Sequence, residues 1–510
     1  MRKPAPLLMT LLISAGPLLG AEEPPKTPPA EAAAPEPKPE QSVTRHTLRM
    51  EGTTLSYAAT AGTFIVRNPK GEPWARMGYT AYVKEGAEAG TRPLVFAFNG
   101  GPGSSSLWLH LGALGPKRVV TANAEFTPPA PYRMVDNACS ILDVADLVMI
   151  DPVGTGFSKA VGKAKDKDFW GVDPDIESVS RFIAQFTGAS GRWNSPKYVL
   201  GESYGTVRAA GVANYLQSNL GMALNGVVLV SSCLDMETTF DYPGHEQSPP
   251  FYLPSYAAVA AYHHALPAQP GDLEAFLRDA RAFALGPYLA GLLEGDRLGE
   301  AELEALAERM HQFTGLSKAY LKEARLRVDE ERFRQELLRS RGITVGRIDA
   351  RFTGPNLHPL AERAPWDPQG PAIMPAFTAL WMDYLHTTLA FGDGKDYKVF
   401  VEAEDFDWDF KHKLDGGRNQ QMTVNVAPDL AQALLQNPQL RVLSLNGLMD
   451  LATPFFATET TLRHLGLPPE FQDHVILKYY DAGHMMYLSE PDLKRMKHDL
   501  AEFIASTHHP

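Results

Sequence analysis

"KYVLGESYGTVRAA", residues 197–210, is an apolar run followed by Gly201-Glu202-Ser203-Tyr204-Gly205 and a small-residue segment able to form a helix. Gly-x-Ser-x-Gly occurs in many turns, where the serine is only a polar turn residue. Between a strand and a helix the pattern has a chemical use. A sharp strand-to-helix turn pushes the serine hydroxyl out at the carboxyl end of a sheet, flanking glycines make room for the strained backbone, and the helix start offers amides. Ser203 is read as a candidate nucleophile. The carboxylate beside it, Glu202, needs its own explanation.

Working outward, short apolar runs bounded by turn signals recur: "PLVFAF" (93–98), "DLVMID" (146–151), "KYVLGE" (197–202), "NGVVLVSS" (225–232), "LRVLSLNG" (440–447) and "HVILKYYDAG" (474–483). Continuous rather than alternating hydrophobicity suits parallel strands covered on both faces. Helix-forming segments such as "DPDIESVSRFIAQFTG" (173–188) separate several of them, which predicts an α/β fold with a doubly wound, mostly parallel sheet. Between 236 and 430 the pattern turns helical and rich in Glu and Arg, as in "GEAELEALAERMHQFTG" (299–315), and reads as a largely helical insertion with a solvated charged face. The expected organisation is a first core part at 44–235, a helical cap at 236–430 and a second core part at 431–510.

The 510-residue chain has a globular composition, 44% hydrophobic and 21% charged. Its net charge of −12, with no basic stripe, argues against nucleic-acid or anionic-membrane binding. Residues 1–21 have Arg2 and Lys3, an apolar core from Leu7 to Leu19 and small residues at Gly20 and Ala21: a signal peptide too short to span a bilayer. The Pro/Ala/Glu-rich tract 22–43 reads as an extended linker, so the mature domain is expected from Thr44 and the protein is expected to be exported, periplasmic or secreted. Two cysteines, Cys139 and Cys233, are too few for a disulfide framework. The pairs His263-His264 and His508-His509 lack metal-ligand spacing, so neither metal nor cofactor is expected. Oligomeric state is not legible.

A serine needs a base, and the base needs an orienting group. In hydrolases with this turn the partners follow in the order Ser, Asp or Glu, His, each after a later strand. Asp450 follows the 440–447 run and His484 follows the last one. Acyl transfer also needs donors for an oxyanion. "NGGPGSSS" (99–106) supplies a glycine-rich loop directly after the 93–98 run, and it lacks the Lys-Ser/Thr ending of a phosphate loop.

With "NGGPGSSS", "GESYG" (201–205), "NGLMDLATP" (446–454) and "DAGHMMY" (481–487) in place, the sequence resembles the serine carboxypeptidase family; "LGALGPKRV" (111–119) and "IDPVGTGFS" (150–158) are similar too. The resemblance covers about 80–500. It implies an α/β-hydrolase fold with a helical cap, and removal of single residues from peptide C-termini. It further implies Ser203 as nucleophile, His484 as base and acid, Asp450 as its orienter, and the amides of Gly101 and Tyr204 as the oxyanion hole. Asn99 and Glu202, with the amide of Gly100, would hold the substrate's terminal carboxylate. Two carboxylates repel unless one is protonated, so Glu202 would act as a protonated donor.

Two departures stand out. Many family members carry a glutamate where Ala113 stands here, paired with the one at the Glu202 position, and Ser104 replaces a cysteine that often follows Gly-Pro-Gly. The same serine site on other substrates would give an esterase, amidase or acyltransferase; Asn99 and Glu202 favour the peptidase. Cap aromatics such as Tyr252, Tyr256 or Trp408 are candidates for side-chain preference.

Overall fold

The six apolar runs form the parallel half of one ten-stranded sheet in the computed structural model, which describes residues 37–508 apart from 241, 243 and 415–418. In chain order the strands are β1 (Gln41–Met50), β2 (Thr53–Arg67), β3 (Pro73–Lys84), β4 (Leu94–Phe98), β5 (Asp146–Ile150), β6 (Lys197–Glu202), β7 (Gly226–Val230), β8 (Arg441–Gly447) and β9 (Val475–Tyr480). Across the sheet they run β1-β2-β3-β5-β4-β6-β7-β8-β9, and the two-residue strand Lys159–Ala160 pairs with β3. β4 to β9 are mutually parallel; β1, β2 and β3 pair antiparallel and extend the β5 edge.

Period-two geometry explains the continuous runs. Leu94, Phe96 and Phe98 of β4 enter one core with α1 (Val172–Ala189) and α2 (Tyr204–Leu220), whereas Val95 and Ala97 enter the opposite core with the C-terminal helix α8 (Glu490–Thr507). Each fully buried Phe or Leu contributes about 1.5–3 kcal/mol, so both faces are needed to hold the sheet.

The insertion has its own apolar core. Helices α3 (Ser248–Tyr262), α4 (Leu273–Phe283) and α5 (Glu300–Thr314) pack there with Leu448, Met449, Leu451, Phe455 and Phe456, which follow β8. The cap thus packs directly on the loop that carries Asp450. On α5 the charges lie outward, with Glu304 and Glu308 pairing Lys318 at half-exposed positions.

The block 236–430 differs from the expectation in two respects. Helix α6 (Gln369–Asp383) continues as a wider helical turn to Thr388 and then gives way to irregular chain, and two short ribbons, Ile343–Val345 with Thr353–Pro355 and His412–Leu414 with Asn419–Gln421, interrupt the helical character. The boundary at 430 also falls inside helix α7 (Ala427–Gln436), which packs on α2 and belongs to the hydrolase core. Proline and glycine at Pro428, Gly392 and Gly394 obscured that change in the sequence.

The leader 1–21 and the linker up to residue 36 lie outside the described residues. The folded chain starts before Thr44: β1 takes in Gln41–Val43, and Thr63 N–H donates to Glu40 O at 2.7 Å. The start of the alternating, half-buried β1 reads as polar linker because only one face of the strand is covered. Among the described residues no helix is long and apolar enough to cross a membrane.

Candidate active site

β6 ends at Glu202 and α2 begins at Tyr204, leaving Ser203 alone at the turn with φ 60° and ψ −130°. A non-glycine residue held there stores about 1–3 kcal/mol of strain, which the surroundings must overcome. Ser203 N–H donates to Val230 O at 3.0 Å, and its carbonyl accepts from Thr206 Oγ1 at 2.7 Å. Gly201 is required by close approach: a Cβ there would come 1.9 Å from Gly205 O.

Asp450 and His484 leave the ends of the adjacent strands β8 and β9 and meet. His484 Nδ1 lies 2.7 Å from Asp450 Oδ2, both residues buried. Asp450 also accepts from Ala452 N–H (2.8 Å), Thr453 N–H (2.9 Å) and the Thr453 hydroxyl (2.7 Å). His484 N–H donates to Ile348 O of the cap and its carbonyl accepts from the Ser231 hydroxyl at 2.7 Å. Burial works against the imidazolium, but the charge and hydrogen bond of Asp450 outweigh it and raise the His484 pKa. With Nδ1 bound to Asp450, Nε2 is the nitrogen left for proton exchange. Thr453, which anchors Asp450, was missed from sequence.

The glycine loop 99–106 leaves β4 and runs against the start of α2. A Cβ on Gly100 would lie 2.5 Å from Tyr204 N, so only glycine lets the two backbones approach. Asn99 Nδ2 donates to Glu202 Oε1 at 2.7 Å, while its Oδ1 accepts from Leu109 N–H at 3.0 Å. Burial pushes the Glu202 carboxyl up to about 7, against the lowering influence of His484, the Tyr487 hydroxyl and Asn99.

Three braces that the sequence did not reveal hold this loop. Arg208, fully buried on α2, donates from Nη1 to Asn99 O at 2.6 Å and from Nε to Asp175 Oδ2 of α1 at 2.8 Å. Asp151 accepts from Ser106 N–H at 2.9 Å, and burial raises its pKa to about 6. The returning segment 397–409 pairs with the loop through Ser105 N–H to Val399 O at 2.9 Å and Val401 N–H to Gly103 O at 2.8 Å.

The other singled-out residues have structural surroundings. Ser104 accepts from Trp108 Nε1 at 2.9 Å. Tyr256 stacks on Phe333 at 3.9 Å and donates to Val328 O, inside the cap core. Trp408 donates to the Tyr204 hydroxyl at 3.1 Å. Tyr252 lines a cap cavity of about 170 Å³ with Asp329 and Glu330. Cys139 and Cys233 are free thiols. His263 Nε2 lies 2.6 Å from Ala350 O.

Sheet order, serine turn and helical insertion define the fold as that of an α/β-hydrolase. Residues 75–257 match the family model of the serine carboxypeptidases. A pheromone-processing carboxypeptidase of Cryptococcus gattii is 28% identical over 172 residues, 33% of this chain and 24% of its own. A serine carboxypeptidase family member of Dictyostelium discoideum is 30% identical over 168 residues, 32% of this chain and 37% of its own. The matched stretch thus spans well under half of either relative. A looser likeness in shape extends over 91% of this chain and 99% of a proline iminopeptidase of Mycobacterium smegmatis, at 15% identity and a TM-score of 0.33. The region 75–257, which carries the glycine loop and the serine turn, is thus the part of the chain that is similar to the serine carboxypeptidases.

Proposed function

We propose that the chain is a serine carboxypeptidase that releases single residues from the C-termini of peptides. The observation that carries this reading is the buried Asn99–Glu202 pair immediately beside Ser203, with the carboxyl raised to about 7. A neutral carboxyl next to a serine nucleophile suits a substrate carboxylate, the mark of a chain end.

In this mechanism Ser203 Oγ attacks the scissile carbonyl carbon while His484 Nε2 takes its proton. Asp450 holds the imidazole through Nδ1 and stabilises the imidazolium. The amides of Gly101 and Tyr204 receive the developing oxyanion at the helix start. His484 then gives the proton to the leaving nitrogen, the C–N bond breaks and the terminal amino acid departs, leaving an ester on Ser203. Water attacks that ester, its proton passes through His484 to Ser203 Oγ, and the peptide leaves one residue shorter. Asn99, the Gly100 amide and protonated Glu202 grip the terminal carboxylate throughout.

The same serine chemistry would serve an esterase, amidase or acyltransferase, and the carboxylate pair is what favours the peptidase. Digestion of a peptide library read by mass spectrometry across pH 4 to 8 tests the choice. The expected product is a ladder losing one residue at a time from the C-terminus; internal cuts, or ester cleavage without any ladder, would contradict it.

The leader pattern of residues 1–21 also supports export to the periplasm or medium. Sequencing the mature N-terminus from those fractions should show a chain lacking residues 1–21; an exported chain that keeps Met1 would contradict the leader.

A further inference from the structure

Three residues after His484, on the short turn Met486–Leu488, lies Tyr487, 3% exposed. Its hydroxyl interacts with the Glu202 carboxyl and with Asn99, yet it is a buried polar atom that reaches full hydrogen-bond geometry with no partner among the described residues. Glu202 Oε2 is in the same condition, while Oε1 is occupied by Asn99. The phenol and the carboxyl thus lie side by side in a buried site, and neither completes a well-formed hydrogen bond there, which buried polar groups ordinarily do.

The ring position is built. A Cβ on Gly112 would come 2.3 Å from Tyr487 Cε2, so the glycine at 112 leaves room for the ring. The neighbouring residue is Ala113, whose small side chain stands where the family resemblance implies a second glutamate.

We propose that Tyr487 is a third binding group for the substrate's terminal carboxylate, donating its phenol O–H to one carboxylate oxygen while Glu202 Oε2–H donates to the other. The chemistry selects the ligand: two buried O–H donors side by side call for two acceptors on one small group, and a carboxylate provides them. A hydrogen bond from a phenol to a charged oxygen is worth about 1.5–3 kcal/mol, roughly tenfold or more in binding. One turn would then position both the base, His484, and a reader of the chain end.

The inference rests on the carboxypeptidase reading above, and the test separates the two. In the full chain, kcat/KM is measured for a blocked dipeptide acid and for its C-terminal amide, in wild type, Tyr487→Phe and Gly112→Ala. Wild type should prefer the acid; without that preference the carboxypeptidase reading itself fails. Given that preference, Tyr487→Phe should reduce the acid-over-amide ratio about tenfold, chiefly through KM for the acid, and Gly112→Ala should reduce it by displacing the ring. An unchanged ratio in folded Tyr487→Phe overturns the role of Tyr487 alone. Should the variants not fold, a crystal structure of wild type with 3-phenylpropionate decides: a carboxylate oxygen within hydrogen-bond distance of Tyr487 Oη is expected, and one bound elsewhere overturns the inference.

Discussion

Asn99 Nδ2 donates to Glu202 Oε1 at 2.7 Å, joining the loop after β4 to the residue before Ser203 across 103 positions of sequence. The contact sets Glu202 apart from an ordinary turn carboxylate. Its backbone ends a buried strand, so its side chain cannot reach bulk water, and the amide of Asn99 fixes one oxygen. Burial then favours the neutral acid, and the nucleophile's neighbour becomes a donor.

The pH dependence follows with a definite sign. On the proposed reading Glu202, protonated below pH about 7, donates to a substrate carboxylate, whereas above that pH the two carboxylates repel. For a free-acid peptide, kcat/KM should fall up to tenfold per pH unit above 7, mostly through KM, and Glu202→Gln should flatten that fall. Stability carries the same sign. A carboxyl raised in the folded state favours folding fully below its unfolded value of 4.5, and that contribution is lost as pH rises through 7. The loss is on the order of 3 kcal/mol, measurable as a steeper decline in urea midpoints between pH 4.5 and 8 for wild type than for Glu202→Gln.

His412 provides a contrast, a histidine held between two carboxylates. Its ring bridges Asp173 of α1 at 2.7 Å and Asp429 of α7 at 2.8 Å. Burial opposes the charge, yet the two carboxylates outweigh it and raise the pKa to about 9. The stabilisation is complete below pH 6.5 and lost as pH rises through 9. Replacing His412 by Gln should cost roughly 3 kcal/mol at pH 6 and little at pH 10, read from urea melts at the two pH values.

Asp175 and Arg208 test the support of the glycine loop. Removing one member of a buried ion pair leaves the other charge unpaired and costs about 3–5 kcal/mol. Asp175→Asn should lower the melting temperature and reduce kcat for peptides and small esters alike, because Arg208 also holds Asn99 O. The double change Asp175→Leu with Arg208→Met should regain stability without regaining activity. Full activity in the double variant would show that the pair only stabilises the fold.

The serine itself is tested by covalent labelling. A fluorophosphonate probe should modify wild type at Ser203 and leave Ser203→Ala unmodified. Asp450→Asn should lower kcat by about 10⁴ by upsetting the imidazole orientation. Labelling that persists in Ser203→Ala would place the nucleophile elsewhere.

The parallel strands were readable because burial on both faces writes one unbroken apolar run, as in Leu94–Phe98. Only the first three residues of β1, Gln41–Val43, were read as linker, because its single covered face leaves alternating polar residues. Asp450 and His484 could be found from chain order, since each follows a strand run. Asp175, Arg208 and Tyr487 could not. Arg208 looks like a charge on an ordinary helix until packing brings Asp175 and Asn99 against it, and Tyr487 is one of 18 tyrosines until its hydroxyl is seen facing Glu202. Such partners are set by tertiary packing, on which local pattern is silent.

The central claim is that a free chain end is being read, and one paired measurement addresses it: hydrolysis at pH 5.5 of a blocked dipeptide with a free C-terminal carboxylate against the same dipeptide amidated. The account predicts cleavage of the acid at least tenfold faster in kcat/KM. Equal rates on the two would contradict it, leaving a serine hydrolase that does not recognise peptide termini.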